Sequence, residues 1–198
     1  MGGRGAFSQS NKERYFGARN GAAGGGTPST KIPSSQFQHM VNGKASPGTT
    51  AKHVEGIITK NAYETGVIID SNGFVVAAYK GGKRSVGFSD GKSNDDYCKI
   101  KGNTMTHNHP SGTAAFSAAD IGVTAEYGGK AVRAATRSNG TAVLEAKNHH
   151  SDMKGLARAY AKKYNAAGTK NGFSTSKEAN AWLKRNAPKY GCIFRIER

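Results

Sequence analysis

Short apolar runs separated by turn residues dominate the middle of the chain. The stretches GVIID (66–70) and FVVAAYK (74–80) are rich in β-branched and aromatic residues and predict two strands. A Ser-Asn-Gly sequence at 71–73 separates them, and an Asn-Gly pair favours the tight turn of a β-hairpin. The same three residues recur at 138–140, between the apolar stretches AVRAATR and TAVLEAK. The pattern therefore predicts a sheet that contains two hairpins.

Further elements extend this sheet and cover it. Strands are predicted at 84–88, 103–109 and 190–196. A helix is predicted from the N-cap Ser117 to the glycine pair 128–129. Two C-terminal helices follow, marked by an apolar stripe and by a capping box: Met153, Leu156, Tyr160 and Tyr164 for the first, Thr175 and Glu178 for the second. Together these elements predict an α/β (α+β) domain with a mixed central β-sheet flanked by helices.

The first 50 residues have a different composition. They are rich in glycine, as in GARNGAAGGGTPST, and poor in large apolar residues that could offset chain entropy. We therefore expect a flexible, basic, Gly-rich tail at 1–50 and a folded domain at 51–198. The chain shows no secretory signal and no apolar run of 18 residues, so we expect a cytoplasmic location and no membrane contact.

The charge is strongly positive and unevenly distributed. The formal net charge is +16, with +6 in residues 1–60, +2 in 61–150 and +8 in 151–198. Basic flanks of this kind favour contact with a polyanion such as nucleic acid, or they are simply solvated surface. The two cysteines, Cys98 and Cys192, are too few for a disulfide framework or a four-cysteine zinc site.

Residues 104–120, TMTHNHPSGTAAFSAAD, carry the candidate chemistry. His107 and His109 occupy alternate positions of a strand, so both imidazoles are expected on the same face. Asp120 is expected in the first turn of the following helix. Two histidines and one carboxylate leave a fourth zinc position open, which is the pattern of catalytic zinc sites. Ser117 and Asp120 also fit a plain capping box, and a lone His-x-His pair is common without any metal.

The spacing resembles the signature of the JAMM (MPN-domain) zinc metalloproteases, most closely their bacterial and phage RadC-like branch. The matching residues are His107, His109 with the following Pro110, Ser117 and Asp120. The resemblance covers roughly residues 55–147 and implies a cytidine-deaminase-like architecture and a bound Zn²⁺. The segment between Pro110 and Ser117 is short, so the ubiquitin-gripping insertions of eukaryotic members have no counterpart.

The resemblance also implies a glutamate before the first core strand. Glu64 stands directly before the apolar run, and Glu55 is the competing candidate. By resemblance, His107, His109 and Asp120 hold zinc, Glu64 acts as general base on the zinc water, and Ser117 donates a hydrogen bond to the oxyanion. The implied reaction is hydrolysis of a peptide or isopeptide bond in a protein or peptide substrate. Thr106 and Asn108 are candidates to support the two imidazoles.

Three other classes compete with this interpretation. A zinc deaminase needs a Cys-x-x-Cys pair, which the two cysteines cannot supply. An HNH nuclease is suggested only by the adjacent letters His-Asn-His, although the basic charge is compatible with a nuclease. A non-catalytic JAMM-fold binding module, associated with nucleic acid through the basic flanks, is the main alternative to the hydrolase.

Overall fold

The computed structural model describes residues 29–40, 43–92, 94–169 and 171–198. In this part of the chain seven strands form one mixed sheet, in the order β1-β3-β2-β4-β5-β6-β7. The strands are β1 (Thr30–Lys31), β2 (Thr65–Ile69), β3 (Val75–Lys80), β4 (Thr104–Asn108), β5 (Ala131–Ala135), β6 (Thr141–Ala146) and β7 (Cys192–Glu197). Strands β4 and β5 run parallel, and the other neighbouring pairs are antiparallel.

Both predicted hairpins are present. Strands β2 and β3 pair around a turn that contains Gly73 at φ +90°, and β5 and β6 pair around Gly140 at φ +80°. Only glycine adopts these positive φ values readily. The turn residues therefore set the register of both hairpins, as the sequence predicts.

Helices cover both faces of the sheet. They are α1 (Pro47–Ile58), α2 (Ala118–Glu126), α3 (Met153–Asn165) and α4 (Ser176–Asn186). Because side chains alternate along a strand, β2 contributes to two cores: Val67 packs with α1 on one face, and Ile68 belongs to the cluster that includes α2, α3 and α4 on the other. The predicted mixed α/β class is confirmed. No helix in the described residues is long and apolar enough to cross a membrane.

The predicted tail at 1–50 is folded where the structure describes it. Strand β1 pairs with β3, and Phe37 is buried in the core under α1. Helix α1 begins at Pro47, with Ser46 as its N-cap, although both residues fall within the predicted flexible tail. A serine followed by proline at the first helical position is a known start signal that the Gly-rich surroundings conceal. Residues 1–28 and 41–42 of the predicted tail lie outside the described residues.

The strand predicted at 84–88 is wrong. This segment forms a loop that folds back on itself, because Gly82 N donates a hydrogen bond to Ser85 O at 2.9 Å. Phe88 is nevertheless buried, with its ring edge against Tyr79 and Tyr97. The apolar residues of this loop thus pack against the sheet and contribute to the core, although they do not form a further strand.

A buried ion network lies on the α1 side of the sheet. Arg133 of β5 donates to both carboxylate oxygens of Glu55 in α1, at 2.6 and 3.0 Å, and to Glu197 of β7 at 2.7 Å. Thr106 and Thr141 donate their hydroxyls to the same Glu55 carboxylate, at 2.9 and 3.3 Å. The network connects α1 to the sheet, and its groups are buried except for Glu197, whose side chain is 25% exposed.

Candidate metal centre

His107 and His109 lie where strand β4 ends. His107 pairs with Gly66 of β2 on one side and with Ala134 of β5 on the other, so its position is set by the interior of the sheet. The backbone of His109 continues this arrangement by donating to Ala135 O at 2.8 Å. The Nε2 atoms of the two imidazoles are 2.9 Å apart. The prediction that both rings share one face of the strand is confirmed.

Asp120 joins the two histidines from the first turn of α2. Its Oδ1 lies 3.4 Å from His107 Nε2, and its Oδ2 lies 3.9 Å from His109 Nε2. Ser117 and Asp120 also form a complete capping box: Ser117 N donates to Asp120 Oδ2 at 2.7 Å, and Asp120 N donates to Ser117 Oγ at 3.2 Å. The capping box and the cluster use different oxygens of Asp120: Oδ2 accepts the bond from Ser117 N, and Oδ1 faces His107. Asp120 can therefore serve both.

The donor set fits a tetrahedral zinc ion. Ligands at ordinary zinc distances in a tetrahedron lie about 3.4 Å apart. The two Nε2 atoms are 2.9 Å apart, and His107 Nε2 lies 3.4 Å from Asp120 Oδ1, so both distances are close to that value. His107, His109 and Asp120 offer ligand atoms that all lie within 4.8 Å of one another, the one such His/Cys/Asp/Glu group among the described residues. These are two nitrogens and one oxygen, which zinc accepts readily.

The hydrogen bonding of His109 prepares its Nε2 atom for a ligand. His109 Nδ1 lies 2.9 Å from the backbone carbonyl oxygen of Thr113. A carbonyl oxygen only accepts, so Nδ1 carries the proton and Nε2 presents its lone pair to the cluster. Sequence reasoning missed Thr113, because every residue has a backbone carbonyl and residue type does not show which one accepts this bond.

The electrostatics of the cluster follow from burial and mutual attraction. Burial alone would raise the pKa of Asp120, but the facing His107 and then His109 lower it to about 2. For His107, burial by itself lowers the pKa. The attraction of Asp120 outweighs this effect, so the pKa of His107 is raised overall. Burial and the neighbouring His107 lower the pKa of His109. The directions of these shifts mean that His107 and Asp120 favour each other's charged forms, whereas the surroundings of His109 favour its neutral form.

Glu64 lies immediately before β2 and faces the same cavity. A space of about 140 Å³ is lined by Glu64, by the three cluster residues, by Ser117 and by apolar side chains that include Phe88 and Met105. Glu64 is 8% exposed, and burial is the main cause that raises the pKa of its carboxyl to about 7. Asp120 raises this pKa further, while His107 lowers it. Glu64 thus stands beside the cluster as a carboxyl group that titrates near neutral pH.

Glu64 and its competitor Glu55 lie in different surroundings. Both oxygens of Glu55 are engaged by Arg133 and by threonine hydroxyls in the network under α1. Glu64 shares its cavity with the cluster instead. Thr106 and Asn108 do not support the imidazoles as anticipated: Thr106 donates to Glu55, and the Asn108 amide bonds to the backbone beside Glu64.

Ser117 also lines the cavity. Its Oγ accepts the hydrogen bond from Asp120 N, which leaves the hydroxyl proton for another acceptor. The hydroxyl belongs to the N-cap of α2, so its position is tied to the same capping box that orients Asp120.

No family model, curated protein or solved structure matches the chain.

We expect the ionisation of Glu64 to lower the unfolding free energy of the metal-free protein as the pH rises. Its pKa is about 7 in the folded protein and 4.5 as the ordinary value, so the folded chain retains a proton that the unfolded chain releases. Stability from this group is present below about pH 4.5 and is lost as the pH rises to about 7. Glu64→Gln should therefore match the wild type at pH 4 and exceed its unfolding free energy at pH 8 by up to about 3 kcal/mol.

Urea unfolding of the chelator-treated protein at several pH values measures this difference. Glu145→Gln, which replaces a half-buried carboxylate on β6, is the matched control and should show no comparable gain at pH 8. Equal unfolding free energies of wild type and Glu64→Gln at pH 8 would show that Glu64 is solvated.

Proposed function

We propose that the protein is a zinc-dependent hydrolase of the JAMM type that cleaves a peptide or isopeptide bond. The observation that carries this proposal is the convergence of His107, His109, Asp120 and Glu64 on one cavity. These residues come from a strand end, a helix start and the residue before another strand. A buried carboxylate beside a three-ligand cluster is the arrangement that metal-assisted hydrolysis requires.

Each side chain has a specific task in this proposal. His107, His109 and Asp120 would hold the zinc ion, which when bound lowers the pKa of a coordinated water to about 7. Glu64 accepts a proton at its carboxylate and returns it to the leaving amine, and its place in the cavity beside the cluster suits both transfers. Ser117 donates a hydrogen bond from its hydroxyl group to the developing oxyanion.

The zinc content of purified protein tests the metal site. Wild type is expected to contain about one zinc per chain, and His107→Ala/His109→Ala is expected to lose it, since two of three ligands are removed. His149→Ala/His150→Ala is the matched control, because these histidines are also near neighbours but lie exposed on the surface. Elemental analysis decides: absent zinc in the wild type, or equal zinc in the double variant, contradicts the proposal.

A non-catalytic, polyanion-binding module is the second candidate, and one surface favours it. Lys154, Arg158 and Lys162 are exposed and follow one another at four-residue spacing along α3, so they form a basic row on one helix face. Such a row can neutralise successive phosphates. The buried Glu64 favours the hydrolase over this alternative, because a module without chemistry gains nothing from a desolvated carboxyl group.

Binding to a single-stranded DNA 30-mer tests the basic row. Affinity is expected to fall as salt rises, because released counterions drive the association. Arg158→Gln/Lys162→Gln should make the plot of log affinity against log salt shallower by about 1.4, since each single-strand phosphate contact contributes about 0.7. Lys60→Gln/Lys101→Gln removes two exposed lysines outside α3 and should have a smaller effect. An affinity indifferent to salt argues against this second function.

A further inference from the structure

Asn108 stands between the two candidate ligands but points away from them. It is 1% exposed, and strand alternation places it on the face of β4 opposite to His107 and His109. Both polar atoms of its side-chain amide form a hydrogen bond. Oδ1 accepts a hydrogen bond from Thr65 N at 2.7 Å, and Nδ2 donates to Tyr63 O at 3.0 Å.

These two bonds hold the peptide groups on either side of Glu64. The pairing of β2 with β4 ends at Gly66 and His107, so Thr65 is the next position along the ladder. There the side-chain amide of Asn108 bonds to the backbone groups of Thr65 and Tyr63, which backbone bonds between β2 and β4 would satisfy if the pairing continued. The side chain is longer than a strand-to-strand bond, which lets the two backbones separate without leaving buried polar groups unpaired.

The backbone of Glu64 is also held from the opposite side, by the two residues that follow strand β3. Glu64 N donates to Gly82 O at 2.7 Å, and Gly81 N donates to Glu64 O at 2.8 Å. The backbone of Glu64 is therefore fixed by residues 81 and 82 on one side and, through its two neighbours, by Asn108 on the other. Free rotation of this segment is removed before any ligand binds.

We propose that Asn108 is a positioning residue that sets the location of the Glu64 carboxyl relative to the His107–His109–Asp120 cluster. The inference rests on the proposed function, because it assigns Asn108 to the base of that reaction. One strand then carries both parts of the centre: the imidazoles project from one face of β4, and the amide on the opposite face fixes the acid. A shift of β4 moves ligands and base together and preserves their separation.

Cobalt substitution tests this inference without a substrate. Co²⁺ replaces zinc in the full chain, and its visible absorption changes as the pH is raised through the ionisation of its coordinated water. Glu64→Gln removes the adjacent charge and is expected to shift the midpoint of this titration by about one pH unit. Asn108→Leu, which is similar in size but makes neither bond, should shift the midpoint in the same direction and by most of the same amount. Asn108→Ala provides a second variant should the leucine variant fail to fold.

Two comparisons separate positioning from general loss of stability. Thr106→Val removes one buried hydrogen bond from the same face of the same strand, but its partner is Glu55, so the midpoint should stay at the wild-type value. Asn108→Leu added to Glu64→Gln should cause no further shift, because Asn108 acts through Glu64.

The outcomes also distinguish this inference from the proposed function. No cobalt binding, or no shift in Glu64→Gln, overturns the proposed function and this inference with it. Cobalt binding with a clear Glu64→Gln shift, but a wild-type midpoint in both Asn108 variants, overturns the positioning role alone.

Discussion

Glu64→Gln is expected to reduce peptide hydrolysis by about 10²–10⁴-fold while the zinc content stays near one per chain. Glutamine has nearly the same shape but cannot accept a proton at the pH of the assay, so only proton transfer is removed. The Glu64 carboxyl and the cluster line one cavity, and Glu64 is only 8% exposed, so water has little access to this carboxyl group. This combination makes Glu64 the most sensitive single position in the proposed reaction.

Release of fluorescence from a quenched peptide library measures the loss, with elemental analysis of the same samples. Wild-type activity should disappear with a chelator and return with added zinc. Glu145→Gln is the control and should retain wild-type activity, since Glu145 lies on β6 in an ion pair with Arg195. Full activity of Glu64→Gln at unchanged zinc content would place the base elsewhere.

Arg133→Ala is expected to lower the free energy of unfolding by about 3–5 kcal/mol. Arg133 is buried between Glu55 and Glu197, which it contacts at 2.6 and 2.7 Å. Its removal leaves the Glu55 carboxylate in the interior without its cationic partner, and the hydroxyls that remain cannot supply the missing charge. The pKa of Arg133 is raised above its usual range by these two carboxylates, against the opposing effect of burial.

Urea unfolding measures this effect, and Arg195→Ala is the matched control. Arg195 also pairs with two carboxylates, at 2.8 and 3.0 Å, but its side chain is 40% exposed. Water and salt screen such a pair, so its removal should cost about 1 kcal/mol or less. Combining Glu55→Leu with Arg133→Met should recover much of the stability lost in Arg133→Ala, because no unpaired charge then remains buried. Equal losses in Arg133→Ala and Arg195→Ala contradict this account.

The elements that are predictable from sequence are those defined by nearby residues. The Asn-Gly turns at 72–73 and 139–140 specify the hairpins through the conformation of their own glycines. The cap of α2 is equally local, since Ser117 and Asp120 are three residues apart. Helix α3 follows from an apolar stripe that has the helical period, and its residues Leu156 and Tyr160 are fully buried.

The elements that sequence analysis missed depend on distant partners. Strand β1 has two residues and exists because β3 offers it an edge. Helix α1 has a clear cap but lies beside Gly-rich sequence, and its apolar face becomes evident only against Val67 and Ile69. A strand is predicted at 84–88, yet a tight turn between Gly82 and Ser85 places Phe88 in the core from a loop.

Residue spacing was enough to predict that His107 and His109 share one face of a strand and that Asp120 lies in a capped helical turn. This is so because strand alternation and helix capping act over a few residues. Tertiary contacts were needed to show that Glu64, and not Glu55, shares a cavity with the cluster, and that Asn108 holds the backbone beside Glu64. Those contacts join residues more than 40 positions apart, and sheet pairing alone brings β2 beside β4. Residue type can suggest a carboxylate, but the side of the sheet on which it lies is fixed by packing.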